Sequence, residues 1–224
     1  MERQPETTNP YFPYISSVAL LLGMVVLWTV VGANFRAVPT VVSGFGIYLG
    51  LALGFALLSK KGLSHYGFVL RVSPEVRRAL LMILPVSAVV GLSAFFSIEP
   101  GPAKIPLRVV AMAFWGDSLL TPIAEEAFFR GYLLTNLLDS VPNPRRFLGV
   151  SSLSWFVSIL FVLMHVFSND TLPSFIFWNS LRLYFSLVAC WAFERTRSLT
   201  GPILAHSLYN LGAAMAYLLF NLTR

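Results

Sequence analysis

The chain has 224 residues, 56% of them hydrophobic and 12% charged, with a mean hydropathy of +0.72. Soluble domains average about 25% charged residues, so this composition excludes a water-soluble globular protein. The net charge of +6 is spread between apolar runs rather than clustered, which excludes a nucleic-acid partner and makes the basic residues signals of membrane topology.

Residues 1–13 are polar and contain prolines, which suits a surface position. An apolar run at 14–34 is long enough to cross a bilayer, which takes about 20 residues. Its approach carries Glu2 and Glu6 against Arg3, unlike the basic start of a cleaved signal peptide, so an uncleaved span is expected. A glycine-bearing run at 39–59 follows, and small residues of this kind permit close helix contact. A basic linker at 60–78 precedes a third run at 79–96. The proline-rich loop 97–108 breaks the helical pattern, and a longer fourth run covers 109–138 with Pro122 as a kink point. Runs at 147–167, 174–193 and 202–222 complete an all-α polytopic transmembrane bundle of about seven spans. It reads as one integral-membrane domain, with 1–108 carrying no motif and 109–224 carrying all of them. Cys190 is the only cysteine, so no intrachain disulfide or cysteine metal cluster is expected, and its apolar run makes it a packed, inert thiol.

One side of the membrane would hold Arg3, Lys60, Lys61, Arg71, Arg77, Arg78, Arg145, Arg146, Arg195 and Arg197, and the other Arg36, Lys104, Arg108 and Arg224. Ten against four places the amino terminus in the cytoplasm, as expected of an integral protein of the inner or plasma membrane.

The chemistry-bearing residues concentrate in the stretch PIAEEAFFRGYLL at 122–134. Ionisable groups at membrane depth are costly and mark pairs or functional sites. Glu126 and Arg130 stand four residues apart, on one helical face, and can form an internal ion pair. Adjacent Glu125 points elsewhere and needs other partners. Two of the three histidines lie in apolar runs, His165 four residues after Phe161 and His206 four before Asn210. A lone histidine in a helix is most often a packed core residue. Two histidines, an asparagine and a glutamate pair in three apolar runs most economically face one another, because unsatisfied polar groups in lipid cost several kcal/mol each. Brought together, Glu125 can act as general base on a water, with one histidine orienting that water or passing a proton to the leaving amine. The other histidine and Asn210 can donate to a developing oxyanion. The reaction class is hydrolysis of a peptide bond in a membrane-associated peptide or protein.

Glu125–Arg130 resembles the EExxxR motif of the CAAX prenyl endopeptidase and bacteriocin-processing (CPBP, or Abi) family. Phe161–His165 resembles its FxxxH motif and His206–Asn210 its HxxxN motif, and all three stand intact and in order within about 110–220. The resemblance implies an intramembrane endopeptidase of the glutamic type that needs no cofactor. In it the counterparts of Glu125 and His165 activate water, those of His206 and Asn210 form the oxyanion site, and those of Glu126, Arg130 and Phe161 support them. Relatives process CAAX proteins, bacteriocin leaders or C-terminal sorting signals, so the family does not fix the substrate.

Other readings stay open. Two histidines and a glutamate could hold zinc with an open position, although no HExxH is present. A non-catalytic immunity or binding protein could use the same pocket, and a transporter could use Asp117 and Arg182, though no internal repeat supports that. Asp117 is expected to pair with Lys104 or Arg108 or to bond within the bundle. Arg182, near Asn179, is expected in a structural ion pair with Glu126 or Asp117, the alternative being contact with a substrate carboxylate, and His65 is expected as a solvated loop residue. The site is expected inside the bundle, open toward the cytoplasmic leaflet. One conflict stands out: at 1.5 Å per residue, a span begun at Phe147 carries His165 about 27 Å across the membrane, whereas His206 lies about one turn into a parallel span.

Overall fold

The structure, a computed structural model, describes residues 11–34, 40–98, 104–165 and 171–223. It is all-α with one minimal hairpin. The helices are α1 (Phe12–Asn34), α2 (Thr40–Leu58), α3 (Pro74–Ser97), α4 (Leu107–Ser140), α5 (Ser152–Leu163), α6 (Leu172–Thr196) and α7 (Thr200–Leu222). Strands β1 (Arg146–Phe147) and β2 (Val150–Ser151) pair antiparallel between α4 and α5. Helices α3, α4, α6 and α7 are long and apolar enough to cross a membrane. Large exposed side chains along them, such as Leu84, Leu92, Trp115 and Leu119, present apolar surface outward.

Helix starts follow local chemistry. Ser73 caps α3 by accepting from the Val76 N–H, with Pro74 and Glu75 in the first turn, a combination that satisfies free donors and suits the helix dipole. This start brings Arg77 and Arg78, expected in the linker, into the helix. Thr171 caps α6 in the same way. The run expected as a span at 147–167 is different. Leu148 and Gly149 have φ of 51° and 80° and form the two-residue turn of the hairpin, as left-handed pairs do. Ser151 then caps a helix of only 12 residues, about 18 Å long and shorter than the roughly 30 Å apolar core of a bilayer. His165 lies two residues beyond its end, and residues 166–170 lie outside the described ones.

Helix α4 is continuous but changes pitch. It widens to π-helical bonding over Met112–Leu120 and Ala127–Leu134, on either side of the α-helical turn Thr121–Glu126. The irregularity expected at Pro122 takes this form. The Thr121 N–H bonds to Gly116 O, five residues back. The next donor in that series is Pro122, which has no N–H, so the carbonyl of Asp117 needs another partner.

The loops at one end of the bundle are tied together. Lys61 Nζ and His65 Nε2 each lie 2.8 Å from Asp139 Oδ2, so His65 is bound rather than free in solvent. The hydrogen bond that Lys61 donates to Asp139 holds the Lys61 pKa above its ordinary value. Arg71 donates to Thr196 O at 2.8 Å, Leu199 N to Gly67 O at 2.8 Å, and Arg146 pairs with Glu194 at 2.7 Å. Tyr66, Ser198 and Leu199 are buried beneath these bonds.

The most extensive helix pairing among the described residues joins α3 to α7. Ser87 Oγ donates to Leu208 O at 2.6 Å across it. A Cβ built on Gly212 would overlap the Ser87 carbonyl oxygen, and one on Gly91 would stand 2.8 Å from Gly212 O. Backbone cannot move aside cheaply, so Gly212→Ala should cost about 1–3 kcal/mol and lower the melting temperature in detergent. Gly50→Ala in α2, where a Cβ meets nothing within 4 Å, should leave it unchanged or raise it.

Candidate active site

A cavity of about 610 Å³ lies between α3, α4, α5, α6 and α7. Its lining includes Glu125, Phe161, His165, His206 and Asn210, together with Asp117, Arg182 and Tyr209. The conflict over the two histidines disappears because α5 starts at Ser152 rather than Phe147. His165 then stands about 20 Å along its segment, within reach of the cavity that His206 enters from six residues into α7.

The two glutamates have different surroundings. Glu126 is fully buried, and its Oε1 accepts from Arg130 Nη1 at 2.9 Å and from His206 Nδ1 at 2.8 Å. Arg130, also fully buried, donates through Nη2 to Ser186 O at 3.1 Å and Ser186 Oγ at 2.5 Å. Its guanidinium carbon lies 5.1 Å from the Phe161 ring centre and 5.7 Å from that of Phe185, within cation–π range. Glu125 is nearly buried, and its Oε2 has no hydrogen-bond partner among the described residues, lying 4.0 Å from His206 Nε2.

The hydrogen bonds fix the ring nitrogens. His165 Nδ1 lies 2.8 Å from Phe161 O, and a carbonyl only accepts. Nδ1 is therefore the donor, and in the neutral ring Nε2 keeps its lone pair. His206 Nδ1 donates likewise to the Glu126 carboxylate, and Phe185 packs on its ring with centroids 4.5 Å apart. Asn210 Nδ2 donates to Asp117 O at 2.6 Å. This is the carbonyl that Pro122 leaves without a main-chain donor, so the widened helix and the asparagine fit each other. One amide hydrogen of Asn210 is used there and the second remains.

Several expectations need correction. The backbone of Asp117 bonds to Asn210, and among the described residues its carboxylate makes no ion pair with Lys104 or Arg108 within 4.0 Å. Arg182 Nη1 donates to Asn179 Oδ1 at 3.2 Å. No carboxylate of the described residues lies within ion-pair distance of Arg182, so it is a wall cation rather than half of a structural pair. The cavity does not open among the basic loops. Its walls run to Ser97, Ile98, Ser174 and Tyr217, at the other end of the bundle. The sequence reading missed Ser186, Phe185 and Tyr209, of which only Tyr209 carried a signal, its place inside the His206–Asn210 motif. Among the described residues no three His, Cys, Asp or Glu side chains form a group able to hold a metal ion.

Residues 106–212 match the family described as Type II CAAX prenyl endopeptidase Rce1-like. No curated protein and no solved structure matches the chain. The matched region spans α4 to α7 and contains every motif residue that lines or supports the cavity. Over residues 106–212 the chain is thus similar to this family of CAAX endopeptidases, which supports the CPBP resemblance carried by the three motifs.

Proposed function

We propose that the protein is an intramembrane endopeptidase of the glutamic type, in which Glu125 activates a water without a metal to cut a peptide bond in a membrane-associated substrate. The observation that supports this most is the asymmetry of the glutamate pair. Glu126 Oε1 is held by both Arg130 and His206 and Glu126 stays out of the cavity wall, whereas Glu125 lines the cavity shared with both histidines and its nearest charged neighbour, His206 Nε2, is 4.0 Å away; the Oε2 atoms of both glutamates lack a hydrogen-bond partner among the described residues.

In this reading Glu125 takes a proton from water as the oxygen attacks the substrate carbonyl carbon. His165 Nε2, an acceptor in the neutral ring, orients that water. The carbonyl oxygen gains charge, and the second amide hydrogen of Asn210 and the Nε2–H of protonated His206 stabilise it. The C–N bond then breaks, and the proton held by Glu125 passes to the departing amine nitrogen. Glu126 acts through His206: Nδ1–H on its carboxylate turns Nε2 into the cavity, and Arg130 holds that carboxylate in place. Substrates of the CAAX, leader-peptide and C-terminal sorting-signal kinds all fit this chemistry. By the distribution of basic residues, the amino terminus is cytoplasmic.

Mass spectrometry of host membranes with wild type and Glu125→Gln tests the reading. A protein fragment that is lost in the variant identifies the substrate; an unchanged proteome with a folded variant indicates a binding protein instead. In the purified enzyme Glu125→Gln should abolish turnover without loss of folding. Glu126→Gln should lower both folding yield and turnover, since it weakens a buried ion pair whose rupture costs about 3–5 kcal/mol. If the two variants were equally inactive and equally well folded, their roles would be wrongly divided.

Metal dependence is tested separately. Turnover should survive exhaustive chelation, with substoichiometric zinc by elemental analysis. Asn210→Ala should lower kcat by about 10²–10³ with little change in KM, the usual cost of one oxyanion donor. Losing its bond to Asp117 O should also reduce stability by about 1 kcal/mol. Activity that is lost on chelation and restored by zinc would end the metal-free mechanism.

A further inference from the structure

Among the described residues, Arg182 is the only lysine or arginine in the cavity wall, and the proposed mechanism leaves it without a task. It lies near the middle of α6, a helix long and apolar enough to cross a membrane. A charge at that depth is costly and is kept for pairing or for function. Pairing does not account for it. The wall also carries Glu125 and Asp117, yet no carboxylate of the described residues stands within 4.0 Å of the guanidinium.

The side chain is nonetheless held. Arg182 Nη1 donates to Asn179 Oδ1 at 3.2 Å, and Asn179 is buried. That bond uses one of the five N–H donors of a guanidinium. Arg182 is only partly buried, and none of its nitrogens is among the buried atoms that lack a partner. Donors that are neither spent nor shut away therefore remain on a residue that borders the cavity.

Helix register sets Arg182 level with the reacting groups. Helices α4 and α6 both end among the same loops, tied there by Asp139–Lys61 and by Thr196–Arg71, so they run parallel. Arg130 of α4 donates to Ser186 of α6. One turn earlier, α4 carries Glu125 and Glu126 while α6 carries Arg182. Between Arg182 and Ser186 stands Phe185, which packs on the His206 ring with centroids 4.5 Å apart and on Tyr209 at 5.1 Å. The cation is thus about one helical turn from the side chains that bear on the scissile bond.

We infer that Arg182 is the subsite for a carboxylate of the substrate, with Asn179 as its positioning residue. A planar guanidinium matches a carboxylate through two parallel N–H···O bonds, and the low dielectric of the wall strengthens them. Glu125 and Asp117 repel an anion elsewhere in the cavity, so Arg182 decides where the carboxylate goes. It thereby decides which bond of the chain stands over Glu125. The carboxylate is either the C-terminus of the substrate or an acidic side chain near the scissile bond, since both make the same contact. Cleavage in this inference rests on the proteolytic reading; the ligand chemistry rests on the unpaired cation.

Affinity selection from a pooled peptide library tests the subsite without a known substrate. The probes are acetylated pentapeptides of alanine, valine, leucine and phenylalanine, made as free acids, as C-terminal amides, and as amides carrying one glutamate. Full-length protein in detergent, bearing Glu125→Gln to prevent hydrolysis, is incubated with the pool, and retained peptides are identified by mass spectrometry. Free acids or glutamate-bearing amides should be retained about 10–100-fold over plain amides, the worth of a hydrogen bond to a charged group. Retention of the acids assigns a terminal carboxylate, and retention of the glutamate-bearing amides an acidic side chain. Arg182→Gln should abolish the preference, and Asn179→Ala should weaken it. Arg182→Lys, which keeps the charge but loses the fork, should also weaken it and carries the test if Arg182→Gln does not fold. The inference is overturned if all three kinds of probe are retained alike, if none is retained, or if the folded Arg182 variants keep the full preference. In the active enzyme, Arg182→Gln should raise KM for a carboxylate-bearing substrate about 10–100-fold and leave that of its neutral analogue unchanged, a split that a merely structural role would not produce. Selection without turnover would remove the proteolytic reading and leave a carboxylate-binding pocket; turnover without selection would remove the subsite alone.

Discussion

The buried ion pair of Arg130 and Glu126 is the contact on which the site depends. A guanidinium with no exposure to solvent is tolerated only when its charge and most of its donors are answered, and here Nε alone lacks a hydrogen-bond partner among the described residues. Glu126 answers the charge, Ser186 takes two hydrogen bonds, and the faces of Phe161 and Phe185 lie against the planar cation. These partners come from α4, α5 and α6, and Glu126 carries the connection to α7 through His206. Four helices are thus located by one charge pair. Apolar packing alone would fix them less sharply in lipid, where burying an apolar face between helices brings little hydrophobic gain.

The pair also determines what its neighbour can do. Because Glu126 spends Oε1 on both Arg130 and His206, Glu125 is left as the carboxylate without a fixed partner. The changes of pitch in α4 sharpen this division. The glutamates occupy the one α-helical turn between two widened stretches, and π-helical segments often stand at functional sites. Widening leaves the carbonyl of Asp117 facing Pro122, and Asn210 fills the gap. A local backbone defect thereby positions an amide at the rim of the same cavity.

Much of this was legible in the sequence, and the limits have physical reasons. The spacing of Glu126 and Arg130 gives their pairing directly, since i,i+4 neighbours share a face. The histidines were legible as polar groups that lipid would not accept alone. Arg182 was misread because the same argument demanded a carboxylate for it, whereas a cavity wall can hold a cation beside an asparagine. The run at 147–167 was misread because hydropathy sees only apolar residues and cannot separate a hairpin from a helix. The markers of the true start, Gly149 and the capping Ser151, are short and local. Ser186 carried no signal, for a small hydroxyl in an apolar helix is common and its importance comes entirely from Arg130 across the interface.

Hydrolysis inside a membrane sets two demands that conflict. In the proposed mechanism water must reach Glu125, yet the charge pair that holds the helices gains strength from staying dry. The structure separates the two by less than one helical turn. Glu126 has no accessible surface, while Glu125, the next residue, retains 7% and borders the cavity. Adjacent residues on a helix point about 100° apart, so a single step in sequence is enough to turn one carboxylate into the packed core and the other toward water. This is a physical reason for two consecutive glutamates. One carboxylate cannot both anchor Arg130 and His206 and accept a proton from water, because protonation would remove the charge that the anchor requires.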